Sequence, residues 1–236
     1  MSDLPPYLSL SERIWYYAFR ILCGAIFFFL VFPLVVIIPL SFNAVPFFTF
    51  TKEMLAFDPA GYSLKWYEDF FTNLNWQGAV QNSVIIAIFS TLISTTLGTL
   101  AALGLSRAQM PYRTLIMSIL ISPMIVPLII SAAGMFFFYS RIGIQGTHIA
   151  VILAHAALGT PFVVITVTAT LSGFDNNLIR ASSSLGAPPS TTFFRVIVPL
   201  ITPGVISGAL FAFITSFDEV VVVLFVGSYR QRTIPW

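Results

Sequence analysis

Charge is what this sequence has least of. Only 8% of its 236 residues are Asp, Glu, Lys or Arg, against roughly a quarter in ordinary soluble domains, and the formal net charge is +2. Such a chain has no basic surface with which to hold nucleic acid. Lysine occurs only as Lys52 and Lys65, and neither follows the glycine-rich turn that cradles nucleotide phosphates, so no ATP site is expected within the chain. The single cysteine, Cys23, excludes an internal disulfide framework and reads as a packing or lipid-facing residue. His148 and His155 lie seven residues apart on one helical face without a third ligand nearby. The first reads as an interface residue, the second as an interhelical hydrogen-bonding group. No Ser-His-Asp or Cys-His grouping is assembled, so enzymatic chemistry and a resident metal or cofactor have no support in the sequence.

What fills the chain is apolar. Hydrophobic residues make up 57%, and the mean hydropathy is +0.92. Several uninterrupted apolar runs of about 20 residues or more indicate spanning helices, because barrel strands would alternate over about ten. The predicted class is an all-α integral membrane protein, a polytopic helical bundle. Five spans are expected at 14–40, 78–105, 114–139, 148–171 and 200–226, within one transmembrane domain at 14–236 that follows a short polar tail at 1–13. The first run is too long for a signal-peptide core and reads as a retained anchor. Between the first two spans, Phe47, Phe48, Phe50, Trp66, Tyr67, Phe70, Phe71 and Trp76 suit the headgroup zone and membrane lipid. Ser63 is a candidate cap for a short surface helix at 64–72, serving as an interface anchor or as part of a docking surface.

Within the spans, small residues and prolines carry the pattern. Ser90, Ser94, Gly98 and Ala102 recur every fourth residue beside Thr91, Thr95 and Thr99, a strip against which another helix can pack closely or along which a substrate can pass. Pro111 suits the first turn of the third span. Pro123 and Pro127 interrupt that span twice, which marks either a moving, pore-lining helix or a static kink. Pro33, Pro39 and Gly159-Thr160-Pro161 weaken the first and fourth spans. Asp218 and Glu219 adjoin in the fifth. Adjacent acids inside a span need an interface, a counter-ion or a cation pathway, so interfacial placement and cation recognition both remain open.

The segment at 172–199 is a polar island between two apolar runs, punctuated as two short helices meeting at a bend. Asp175 is a candidate N-cap, Gly186 a candidate C′ residue, Pro188-Pro189 a break and Ser190 a second N-cap. Leu178, Ile179 and Leu185 are expected to share one face of the first helix, which at about ten residues is marginal alone and needs something to dock against.

At these residues the chain resembles the permeases of ABC importers of type I, which depend on a binding protein. Ala181, Gly186 and the Ile197-Val198-Pro199-Leu200 ending resemble the family's cytoplasmic signature loop, with Arg180, Ala181 and Ser182 standing where the family has Glu-Ala-Ala. The Ser216-Phe217-Asp218-Glu219-Val220 sequence, the segment at 62–67 and Pro161-Phe162-Val163-Val164 further resemble polyamine (spermidine/putrescine) permeases.

The resemblance implies a multi-pass subunit of the bacterial inner membrane whose coupling helix, Leu178 to Leu185 with Gly186 and Pro199, seats on an ATPase. Implied partners are a second permease subunit, two ATP-binding subunits that hold the ATP and magnesium, and a periplasmic substrate-binding protein. Asp218, Glu219, Pro123 and Pro127 are the candidate substrate path. The family has six spans with both ends cytoplasmic, so a sixth helix is expected to be absent from this chain. With the amino terminus inside, Arg13, Arg20, Arg107, Arg113, Arg180 and Arg195 gather on the cytoplasmic side against Lys52, Lys65, Arg141, Arg230 and Arg232 outside. The rival function is an ion- or proton-coupled carrier that uses Asp218 and Glu219 as a protonation site.

Overall fold

A computed structural model describes residues 9–107, 109–175 and 177–236. The chain packs as two compact units, Met1–Asn73 and Leu74–Trp236, a division inside the single domain drawn from 14 to 236. In the first unit, helix α1 (Leu10–Leu40) begins inside the stretch read as a polar tail, because Ser9 and Glu12 form a reciprocal capping box there. The remainder of that tail, 1–8, lies outside the described residues. Pro33 and Pro39 are carried within α1, which ends at Leu40.

The loop after α1 is organised by buried Asn43. Its amide donates to the carbonyls of Phe47 and Thr49, its Oδ1 accepts from Val45 N, and its own carbonyl accepts from the Trp66 indole at 2.8 Å. Two further short helices complete the unit, α2 (Lys52–Leu55) and α3 (Lys65–Thr72). The latter starts one residue later than expected, and Ser63 Oγ accepts from Lys65 N.

The second unit is built on α4 (Leu74–Leu105), α7 (His148–Ser172) and α10 (Val198–Asp218). Asn82 meets His148 at one end of α4 and α7, and Gly98 lies against Val163 further along both, so these helices run parallel. Helix α10 runs antiparallel to α7, since Ser216 meets His155, Ala212 meets Gly159, Gly208 meets Val163 and Gly204 meets Thr170. A Cβ added at Gly98 would stand 2.7 Å from Val163 Cβ, and one at Gly159 would stand 3.0 Å from both Ala212 Cβ and Ser94 Oγ. Lipid chains are as apolar as leucine, so helices here gain by close contact rather than by leaving water, and small side chains permit it. The strip Ser90, Ser94, Gly98 and Ala102 is buried in this packing. Thr91, Thr95 and Thr99 flank it with buried hydroxyls that have no hydrogen-bond partner among the described residues.

The third expected span is two helices, not one kinked helix. Helix α5 (Arg113–Ile125) and α6 (Leu128–Arg141) are bent by 103°. The two prolines act differently. Pro127 drives Val126 to an extended ψ of 135° and ends α5, whereas Pro123 stays inside α5, where the Ile119 carbonyl it would displace accepts from Ser122 Oγ at 2.8 Å. Pro111 precedes the helix instead of occupying its first turn, since Tyr112 is the N-cap in a left-handed conformation. Because α4 and α7 run parallel, the bent pair α5–α6 must return the chain across the layer. Among the described residues, α1, α4, α7 and the helical run Pro189–Asp218 are long and apolar enough to cross a membrane, and the bent pair makes five if it counts as one span. Pro161 leaves α7 continuous.

The fifth span also departs from expectation. It stops at Asp218, and a separate helix α11 (Val221–Val226) follows. At its other end α10 is continuous with the polar segment: α9 (Pro189–Thr192) leads through a wide π turn at Phe193–Ile197 into α10. Pro199 has no amide hydrogen for the Arg195 carbonyl, and Val198 N bonds back to Phe193 O, which is the wide turn observed. The second short helix is therefore the start of the span. Its N-cap is Pro188 with Pro189 at N1; Ser190 lies inside it, because the residue before a proline is held extended and the proline suits the first helical position.

Candidate functional site

The bend between α7 and α10 is formed by local chemistry. Helix α8 (Asn177–Ser184) is preceded by Asp175, whose Oδ1 accepts from Asn177 N at 2.9 Å; Asn176 lies outside the described residues. At the other end Gly186 has φ +75°, its N–H bonds to Ser183 O, and Ala187 N–H bonds to Ser182 O. This crossed pair closes the helix and reverses the chain, and the backbone angle needs glycine. Ser182 Oγ then bonds Thr192 Oγ1 at 2.7 Å, fastening α8 to the root of α10.

One expectation about this helix is corrected. Leu178, Ile179 and Leu185 do not share a face. Ile179 is half-buried with Ser182, while Leu178 is 43% exposed and Leu185 87% exposed. Residues seven apart align on a helix and adjacent residues point about 100° apart, so Leu178, Ala181 and Leu185 form the outward face and Ile179 the inward one. Arg180 is exposed beside them, and Pro199 lies in the first turn of α10. This bend shares an end of the helical layer with Arg107 and Arg113, because α4 and α7 are parallel.

At the opposite end the acid pair divides. Asp218 is exposed as the last residue of α10. Glu219 is 9% exposed, and its Oε1 accepts from Val222 N at 3.0 Å, capping α11. The four candidate path residues thus lie on two broken elements, α5–α6 and α10–α11. These pack together where Ala132 and Tyr139 share a buried cluster with Val222, Val223 and Val226.

Two polar groupings had weak signals in the sequence. Ser90 Oγ donates to Ser216 Oγ at 2.9 Å and Ser216 Oγ meets His155 Nδ1 at 2.9 Å, joining α4, α10 and α7 inside the layer. That is the interhelical role expected of His155. Ser216→Ala leaves the buried imidazole without its partner, so a loss of about 1–3 kcal/mol in unfolding free energy is expected; an unfolding titration in detergent measures it, and an unchanged midpoint refutes it. The second grouping joins Asn82, Ser83 and His148 to the segment after α11. Among the described residues, no group of three His, Cys, Asp or Glu is placed to hold a metal ion.

The fold and this bend define a permease-type membrane subunit. Residues 94–235 match the family model described as "Binding-protein-dependent transport system inner membrane component". The chain belongs to this family. It is 30% identical over 210 residues to the spermidine/putrescine transport system permease protein PotC of Haemophilus influenzae, covering 89% of this chain and 79% of that protein. Identity to PotC of Escherichia coli (strain K12) is 31% over 211 residues, covering 89% and 77%. With the putrescine transport system permease protein PotI of the same organism it is 28% over 216 residues, covering 89% and 74%. A crystal structure of a bacterial ABC transporter involved in import of the acidic polysaccharide alginate superposes with a TM-score of 0.73 at 16% identity, covering 98% of this chain and 80% of that one, and so shares its fold. The chain is an ABC importer permease of type I. The ion-coupled carrier reading finds no support, and Glu219 is engaged in holding α11.

Proposed function

We propose that this chain is one permease subunit of an ATP-driven importer in the bacterial inner membrane, paired with a second permease, gripped by two ATP-hydrolysing subunits and supplied by a periplasmic binding protein. The carrying observation is the outward apolar face of Leu178 and Ala181 on α8, continued by Leu185 just past its end and fastened to the root of α10 by the Ser182–Thr192 bond. A helix of this length is marginal in water when isolated, and an exposed apolar face on it suits a partner. In this reading the bend faces the cytoplasm, and ATP with magnesium resides on the partner subunits. Their closure moves α8 as a lever on α10, and the breaks at Pro127 and Glu219 let the far ends of the helices shift.

The favoured cargo is a polyamine or a related amino compound, supported by the likeness to the polyamine permeases and by Asp218. That carboxylate has no hydrogen-bond or ion-pair partner among the described residues, and it lies in the same helical register as exposed Ile214 and Phe211. Uptake into proteoliposomes carrying the whole copurified assembly tests this reading. Uptake should need ATP, and Asp218→Asn should lower uptake of a dicationic amine by about tenfold or more, the worth of one charge-assisted contact. Glu219→Gln keeps an acceptor for Val222 N and should alter uptake far less. Transport driven by an ion gradient without ATP would refute the importer; equal uptake by Asp218→Asn would refute the role of that acid.

A further inference from the structure

The segment after α11 lies across the ends of α4 and α7 and is held by side chains from both. Asn82 Nδ2 donates to the carbonyls of Arg230 and Arg232, each at 2.9 Å. Ile234 N donates to Ser83 Oγ at 2.9 Å. With both amide hydrogens spent, Asn82 offers only Oδ1 to His148 Nε2, 2.9 Å away, so Nε2 carries the proton. Buried Gln231 completes the set. Its Oε1 accepts from Ser228 N at 3.1 Å and Ser228 Oγ at 2.6 Å, which turns its Nε2–H toward His148 Nδ1 at 3.4 Å. These contacts place a proton on Nε2 and leave Nδ1 as an acceptor, so they require a neutral imidazole.

We propose that His148 is a proton-sensitive clasp, and that protonating its Nδ1 releases the strap at 228–234 from the ends of α4 and α7. A proton on Nδ1 faces the Gln231 amide donor to donor. Turning that amide over moves the conflict onto the Ser228 N–H, so no internal rearrangement of Gln231 relieves it. No carboxylate is hydrogen-bonded to the imidazole. Its partners from α4 and the strap, Asn82 and Gln231, are uncharged, α11 carries no charged residue, and Glu219 is committed to Val222 N. The charged groups of the strap and of the turn before α7 are exposed Arg230, Arg232 and Arg141. Opening thus follows acidification on the side of the membrane that the strap faces.

The test reads the strap directly and does not depend on the cargo or on ATP. A nitroxide on Arg230→Cys in a Cys23→Ser background, with the chain in its copurified assembly in nanodiscs, reports local mobility by electron paramagnetic resonance from pH 8 to 5. The ratio of mobile to immobile label should rise on acidification by up to about tenfold per pH unit, the limit for one linked proton. His148→Gln should abolish the pH dependence. Gln231→Glu places a carboxylate against the imidazole, and there acidification to pH 5.5 should no longer loosen the strap. Mobility independent of pH in the otherwise native chain, or the same rise in His148→Gln, overturns the clasp. Loosening of Gln231→Glu equal to that of the parent overturns the assigned polarity.

Discussion

Gly208→Val is expected to lower the unfolding free energy of this chain by about 3 kcal/mol or more. A Cβ at position 208 would lie 2.5 Å from Thr166 Oγ1 and 2.8 Å from Val163 Cα, and the latter is backbone that no rotamer change can withdraw. The α7–α10 contact must open along its length, because Gly204, Ala212 and Ser216 continue the same close approach on either side. Overpacking usually costs about 1–3 kcal/mol, and a collision with a neighbouring backbone lies at the top of that range or above it. The control is Gly104→Ala. Gly104 belongs to α4 but has nothing within 4 Å of its missing Cβ, so the substitution should be neutral or slightly stabilising. Unfolding midpoints in detergent for both variants decide the matter, and equal midpoints would show that α7 and α10 are not held this close.

The second large effect is expected at the bend. Leu178→Glu combined with Leu185→Glu should leave the subunit inserted and folded while abolishing ATP-dependent uptake. The separation follows from exposure. Leu178 and Leu185 are 43% and 87% exposed, so charging them takes little from the chain's own packing, where surface changes usually stay within about 0.5 kcal/mol. If an ATPase groove receives that face, two carboxylates buried against it remove central anchors worth about 2 kcal/mol or more each, and uptake should fall by well over tenfold. Ile179→Ala supplies the contrast. It points inward beside the Ser182–Thr192 bond and should weaken the bend itself, visible as increased exchange of the α8 amides. Copurification of the ATPase with the double variant at the native ratio would sink the coupling role.

Much of this architecture was legible because hydropathy and turn chemistry act locally. The spans at 14–40, 78–105 and 148–171 each match a helix within a few residues, since the length of an apolar run sets what can cross a bilayer. Gly186 was legible as a helix terminator because no other residue enters its backbone region cheaply. The prolines were only half legible. Pro123 and Pro127 look alike in sequence, yet one is absorbed and the other breaks the element, and the difference lies in whether Ser122 reaches the freed carbonyl. Asp218 and Glu219 likewise look equivalent until the helix stops between them and one turns back to cap α11.

By itself the sequence determined the class of the molecule: a helical membrane permease with a bent polar segment between its last long apolar runs. Composition and glycine-proline punctuation act over one or two turns, and they need no distant contact to be read. Tertiary structure alone decided which face of α8 points outward, that α4 and α7 run parallel, and that Asn82, His148 and Gln231 meet across 66 and 83 residues of chain. Those outcomes depend on which helix ends come to lie side by side, and small-residue packing between distant segments sets that arrangement.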